Sequence, residues 1–175
     1  MKKIVFALLV LCAAAALHAQ TIEISFNYVK QGGFASNQFA VWIEDSGGNH
    51  VRTLYAARFT AQGGWKKREQ SIPLWVKQSG LEGMNKSQVD AVSGPTPGSG
   101  TLSYVWDGKD QAGSALPQGE YRVFVEATLR GENRVLYSAA VRLGAPRRTS
   151  VEAQPRYFGG GVKERGMISH VEIKY

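Results

Sequence analysis

The segment EYRVFVEATL, at residues 120–129, is the clearest indication of the fold, because its side chains alternate in character along most of its length. The apolar members of one face are Tyr121, Val123, Val125 and Ala127. A period of two residues is that of a β-strand with one side buried. The next residues, RGEN at 130–133, suit a tight reversal, so residues 134–143 are predicted to return as the partner strand of a hairpin.

Similar apolar segments recur along the chain, with turn residues between them. Near the start, Ile22, Ile24, Phe26 and Tyr28 share one face. Residues 45–50, DSGGNH, supply a second tight reversal. The predicted strands are 21–29, 39–44, 51–59, 101–106, 120–129, 134–143 and 167–175. Six or seven short strands separated by turns predict a mainly β fold, an antiparallel sandwich of the immunoglobulin-like or fibronectin-like type.

One short helix is predicted near residues 72–79. Pro73 suits the first helical turn, Ser71 is a candidate cap, and Gly80 is a suitable stop. Leu74 and Trp75 would anchor this helix on a sheet. Residues 81–100 are rich in glycine and proline and predict a long loop, and loops of that length often carry function.

Residues 1–19 have the character of a signal peptide. Lys2 and Lys3 precede an apolar run from Ile4 to about Leu17, and Ala19 offers a cleavage site. The run is short for a membrane-spanning helix, and no later apolar run reaches the length that such a helix needs. We therefore expect an exported protein, in the periplasm, with no membrane span in the mature chain. Residues 20–175 are expected to form a single β-sandwich domain.

Composition narrows the chemistry of the mature chain. Cys12, the only cysteine, leaves with the signal peptide, so neither a disulfide nor a thiol nucleophile is expected. The formal net charge falls from +7 to +5 when Lys2 and Lys3 are removed. The excess of positive charge is modest. Nucleic acid is not an expected ligand, because the protein is predicted to be exported.

Signatures of catalysis and metal binding are absent from the sequence. His50 and His170 have no second ligand at a fixed spacing, so no metal site is predicted. Asp107 and Asp110 offer two carboxylates where a calcium loop needs about six oxygen ligands. No nucleophile elbow, phosphate loop or dinucleotide fingerprint is present, so the prediction is a protein without catalytic residues.

Several motifs resemble known exported proteins. The segments WDGKD, at 106–110, and LPQGEY, at 116–121, resemble the immunoglobulin-like domain of the flagellar hook-capping protein. Together with VWIEDSGGNHVRTL, at 41–54, and VDAVSGPTPG, at 89–98, they more closely resemble the predicted periplasmic proteins of domain-of-unknown-function family 2271. This resemblance spans about Ile22 to Tyr175.

The resemblance implies a flavin-linked context, because genes of this family often lie beside, or are fused to, those of extracytosolic flavin transferases. Residues 90–96, DAVSGPT, resemble the acceptor motif of those enzymes. Asp90, Ser93, Gly94 and Thr96 match it, which implies attachment of FMN through the Thr96 hydroxyl. Pro95 stands where the motif has alanine, and it removes a backbone N–H that a transferase could bind.

Three interpretations stay open. The first is a non-catalytic accessory domain in an extracytosolic flavin-linked redox or metal-uptake system, with a flavin transferase or a membrane redox protein as partner. The second is a carrier of covalent FMN on Thr96, with Trp75 or Trp106 beside the flavin ring. The third is a module that binds carbohydrate or a cell surface through exposed aromatic residues such as Trp42 or Trp65.

Overall fold

The computed structural model describes residues 21–33, 36–145, 149–160 and 166–175. Two β-sheets form the framework of this part of the chain. The four-stranded sheet has the spatial order β5 (Gly100–Trp106), β1 (Ile22–Tyr28), β10 (Ile168–Lys174), β8 (Ser150–Glu152). The six-stranded sheet has the order β4 (Ser93–Gly94), β3 (His50–Ala57), β2 (Gln38–Asp45), β6 (Gly119–Arg130), β7 (Asn133–Leu143), β9 (Gln154–Phe158). The predicted signal peptide lies outside the described residues.

Neighbouring strands pair antiparallel, except for β3 and β4, which run parallel. The sheets meet through an apolar core, here called the inter-sheet core. The side chains of β1 and β10 that face the other sheet include Ile22, Ile24, Phe26, Tyr28, Val171 and Ile173. Those of β2, β6 and β7 that meet them include Phe39, Val41, Ile43, Val123, Val125, Val135 and Val141. The predicted mainly β sandwich is confirmed.

The opposite face of the six-stranded sheet is covered by residues 58–92, here called the helical cap. It contains α1 (Arg58–Ala61), α2 (Pro73–Gln78) and α3 (Lys86–Val92), with single 3₁₀ turns at Gly64–Lys66 and Leu81–Gly83. Trp42 and Phe124 present stacked rings to the cap at 5.0 Å between centroids. Trp75 of α2 is fully buried against this face, as predicted.

The predicted helix near 72–79 is confirmed, but its predicted cap is wrong. No side chain at the preceding position caps α2. Instead the backbone N–H groups of Leu74 and Trp75 donate to the Glu126 carboxylate of β6, at 3.2 and 2.8 Å. A buried carboxylate from another element therefore satisfies the first helical donors, whereas the prediction assigned that role to Ser71.

The expectation of a continuous loop at 81–100 is also wrong, because α3 lies within it. Asn85 accepts a hydrogen bond from the Gln88 backbone N–H at 3.0 Å, and the Gln88 side chain accepts one from the Asn85 N–H at 2.9 Å. This reciprocal pair is a capping box, and the spacing Asn85-x-x-Gln88 was a readable sign of it. The glycines and prolines that suggested a loop are concentrated after α3.

All of the predicted strands are present, and the described part of the chain contains three short strands that were missed. These are β4, β8 and β9, of two, three and five residues. The two later strands have mostly exposed side chains and lack an apolar alternation that could reveal them. Among the described residues, no helix is long and apolar enough to cross a membrane.

Candidate functional site

A groove of about 510 Å³ lies on the outer surface of the helical cap. Its apolar lining comes from Trp65, Leu81, Met84 and Val89. Charged side chains also line it: Lys66, Glu82, Lys86 and Asp90. Trp65, Met84 and Val89 are partly exposed, so they offer apolar surface to a ligand.

Three parts of the cap shape this groove. The 3₁₀ turn after α1 carries Trp65, and the ammonium group of Lys66 lies 5.3 Å from the centroid of the Trp65 ring. The capping box starts α3 beside Met84, and Gln62 donates a hydrogen bond to Asp90 at 3.1 Å, which joins the end of α1 to α3. These contacts hold in place the segments that line the groove.

The acceptor-like motif at 90–96 spans a change of structure. Asp90 lies on α3, Ser93 and Gly94 form β4 beside Ala56 and Ala57 of β3, and Thr96 follows β4. The four matching residues are thus neighbours along the chain, but the groove beside Asp90 is not lined by the other three.

The backbone that carries Thr96 is held by Tyr55. The Tyr55 hydroxyl donates to the Pro95 carbonyl at 2.9 Å, and its ring stacks on Phe39 at 4.6 Å between centroids. Burial raises the pKa of Tyr55 to about 12, so the hydroxyl keeps the proton that it donates. A Cβ added at Gly94 would lie 2.8 Å from the Tyr55 ring, so this contact requires glycine.

Thr96 is partly exposed, and its hydroxyl takes part in none of the hydrogen bonds within the described part of the chain. The expected flavin neighbours are wrong, however. Trp75 and Trp106 are fully buried, and their indole N–H groups donate to Thr53 and to the Lys109 carbonyl. Neither ring can touch a surface flavin unless a core opens.

The aromatic residues proposed for carbohydrate binding also differ from expectation. Trp42 is fully buried, and its indole N–H donates to Glu44 at 2.8 Å, so it cannot stack on a sugar. Trp65 is partly exposed and lines the groove of the cap. A depression of about 590 Å³ on the outer face of the four-stranded sheet is lined by polar residues and by the buried Phe26.

Buried polar groups lie beneath the cap. The Thr53 hydroxyl meets both the Trp75 indole N–H, at 3.0 Å, and His50 Nε2, at 2.8 Å. Burial lowers the pKa of His50 to about 4, so the ring is neutral at neutral pH. In the described ranges, no three His, Cys, Asp or Glu side chains are grouped so that they could hold a metal ion.

A smaller pocket, of about 240 Å³, lies where the cap meets the β6–β7 reversal. It is lined by Ser36, Arg68, Gln70, Ser71, Thr128, Arg130 and Gly131. Sequence reasoning missed both this pocket and the groove, because their residues come from separate segments. The capping box and the KKR run at 66–68 were the available signals.

Comparison with known proteins gives one match, to a protein family. No curated protein and no solved structure matches the chain. A family model described as predicted periplasmic protein matches residues 19–159, and this description agrees with the predicted location. The match ends before β10, which nevertheless lies between β1 and β8. Because the model covers most of the chain, the protein belongs to the family of predicted periplasmic proteins DUF2271.

Proposed function

We propose that this periplasmic protein is a non-catalytic interaction domain whose helical cap binds a partner protein of an extracytosolic flavin-linked redox or metal-uptake system. The groove on the cap is the observation that carries the proposal. It exposes apolar surface of Trp65, Met84 and Val89, with Lys66 and Lys86 as its basic lining and Glu82 and Asp90 as its acidic lining. Apolar contacts surrounded by charges are typical of protein recognition sites.

The charge of the cap indicates the chemistry of the partner. Residues 58–92 contain six basic and three acidic side chains. Lys66 and Lys86 are exposed, and neither forms an ion pair with another described residue. We therefore expect an acidic segment with an apolar side chain that enters beside Trp65, and charge attraction would favour its encounter with the cap.

Photo-crosslinking in the periplasm tests this proposal directly. A photo-reactive amino acid at Lys86 is expected to crosslink the flavin transferase or the membrane redox protein produced with this chain. Reversal of the neighbouring charge, by Lys66→Glu, should reduce the yield about tenfold if the partner segment is acidic.

The control places the same photo-reactive group at Val105, which is 57% exposed on β5 of the other sheet. Equal yields from Lys86 and Val105 would reject the cap as the binding surface. A yield that Lys66→Glu leaves unchanged would reject the acidic partner. Purified partners should then reproduce the result in a binding titration.

Covalent FMN on Thr96 is a second candidate, and one observation favours it. Thr96 is partly exposed, and its hydroxyl is unused in the hydrogen bonds of the described residues. The contact between Tyr55 and the Pro95 carbonyl fixes the backbone beside it. An accessible hydroxyl on a positioned backbone is what an acceptor in a transfer reaction requires.

Intact mass spectrometry after expression with a flavin transferase tests this candidate. A gain of one FMN in the wild type, kept in Thr96→Ser and lost in Thr96→Ala, would support attachment at this hydroxyl. Ser87→Ala is the matched control, because it removes an exposed hydroxyl on α3 that lies outside the motif at 90–96. An unmodified mass with an active transferase would reject this candidate. The proposal of an interaction domain would not be affected.

A further inference from the structure

Two arginines share the smaller pocket of about 240 Å³ without a carboxylate among its lining residues. Arg68 comes from the cap and Arg130 from the end of β6. Neither forms an ion pair with another described residue. The Arg68 guanidinium lies 4.9 Å from the centroid of the Phe59 ring, a contact that orients it. The pocket therefore holds uncompensated positive charge.

Hydroxyl groups add hydrogen-bonding capacity beside these charges. The Ser36 Oγ is buried and has no hydrogen-bond partner among the described residues. Ser71 is buried as a residue, and its hydroxyl is likewise unused in the hydrogen bonds of the described residues. Buried polar groups are nearly always paired, so the Ser36 hydroxyl marks a place for an absent acceptor or donor.

The floor of the pocket is already fixed. The Thr128 hydroxyl accepts from the Ile72 N–H at 2.9 Å and donates to the Gln70 carbonyl at 3.0 Å. Ser36 is tied to β6 by its backbone N–H, which donates to the Leu129 carbonyl. The strand end and the chain before α2 are thereby held together, and a ligand would meet a prepared surface.

We propose that this pocket binds a phosphate-sized oxyanion between Arg68 and Arg130, with the Ser36 and Ser71 hydroxyls as additional donors. Guanidinium groups pair with phosphate oxygens through parallel N–H donors, which suits two arginines around one anion. The volume is below the ~300–1,000 Å³ of sites for drug-sized ligands, which suits a small anion. The ligand is either free phosphate or the terminal phosphate of a larger molecule.

This site is separate from the groove and from Thr96, since their lining residues are different. Its test is therefore independent of the proposed function. Titration calorimetry at constant ionic strength, with inorganic phosphate in one experiment and glycerol phosphate in another, should show saturable binding. Binding of glycerol phosphate as tight as that of phosphate assigns the site to a terminal phosphate; binding of phosphate alone assigns it to the free ion.

Substitutions locate the binding. Arg68→Gln and Arg130→Gln should each weaken it at least tenfold, whereas Arg142→Gln, an exposed arginine on β7, should leave it unchanged. Ser36→Ala should weaken binding severalfold without lowering the melting temperature of the free protein, because the lost hydroxyl has no partner there. Absence of saturable binding of both probes, or equal affinities in all three arginine variants, would overturn the proposal.

Discussion

The inter-sheet core consists of apolar side chains contributed by strands, whereas the helical cap packs on the six-stranded sheet through a smaller apolar cluster and is also held there by buried polar side chains. Glu126 holds the start of α2, Thr128 holds Ile72, and Thr53 receives the indole N–H of Trp75. Apolar packing is non-directional, but each of these hydrogen bonds depends on one atom position. The cap should therefore loosen after changes that leave the sandwich folded.

The largest effect is expected inside the inter-sheet core. Phe39 is fully buried and contacts the rings of Phe26, Tyr28 and Tyr55. Phe39→Ala should lower the free energy of unfolding by about 4 kcal/mol, because a large cavity remains. Urea denaturation followed by circular dichroism measures it. Val105→Ala, at a site that is 57% exposed, should change stability by less than about 0.5 kcal/mol.

Glu126→Gln should loosen the cap and spare the sandwich. Burial raises the pKa of Glu126, while the Trp75 N–H and the Arg134 guanidinium, at 2.8 Å, stabilise its charged form. Glutamine keeps only one acceptor oxygen and turns an NH₂ group toward the remaining donors, so a buried donor loses its partner at a cost of about 2–3 kcal/mol. Hydrogen exchange should accelerate at the amides of Leu74 and Trp75 more than within β2.

Glu120→Gln is the matched control, because it neutralises an exposed carboxylate on the same strand. Similar exchange rates in the Glu126 and Glu120 variants would contradict the distinction between core and cap. Uniform acceleration across β2 and α2 would show instead that the two regions unfold together.

Low pH should destabilise the protein beneath the cap, because His50 takes up a proton on unfolding. Its pKa is about 4 in the folded protein against an ordinary value of 6.5, because burial disfavours the charged ring. Between these values the unfolded chain binds the proton more readily, so stability is full above pH 6.5 and falls as the pH decreases toward 4. The expected loss is about 2 kcal/mol, reduced from the full shift because the ring is partly exposed.

Denaturation of the wild type and His50→Gln at several pH values measures this effect. The difference in stability between the two proteins should change by about 2 kcal/mol across that interval. His170→Gln, at an exposed position on β10, tests whether the effect belongs to His50. A constant difference for His50→Gln would contradict the expected titration.

The smallest effect is expected at β4, which follows the helical cap and packs on Tyr55 beside the inter-sheet core. A Cβ at Gly94 would press on Tyr55, whose ring is stacked on Phe39. Gly94→Ala should cost about 1–2 kcal/mol, because a packed ring must move. Gly98→Ala, at a position with open space for a Cβ, should be nearly neutral. Thermal unfolding monitored through tyrosine absorbance compares the two.

The sandwich could be predicted from the sequence because its information is local. Alternation in residues such as Ile22, Ile24 and Val123 identifies a strand and its buried face without knowledge of the partner. The reversal at Asp45 was also readable, since its carboxylate accepts the N–H groups of Gly47 and Asn49 within the same turn.

The cap and its groove could not be predicted in the same way. Glu126 occupies one position in an alternating strand, and only the fold shows that it meets α2. Trp65 and Met84 are brought to one groove by turns that carry little periodicity. The match of residues 90–96 to an acceptor motif identified a candidate segment for modification from the sequence alone. Modification of Thr96 stays a prediction.

The position of β10 has a consequence for the order of events during export. Ile173 pairs with Ile24 on one side and Val151 on the other, so the four-stranded sheet is completed only when residues far apart in the chain have met. Such distant contacts form slowly, because a long loop must close first. A chain that crosses a membrane starting from its N-terminal end presents β1 well before its neighbour β10. Its sandwich is then completed after translocation, in the compartment where the protein resides.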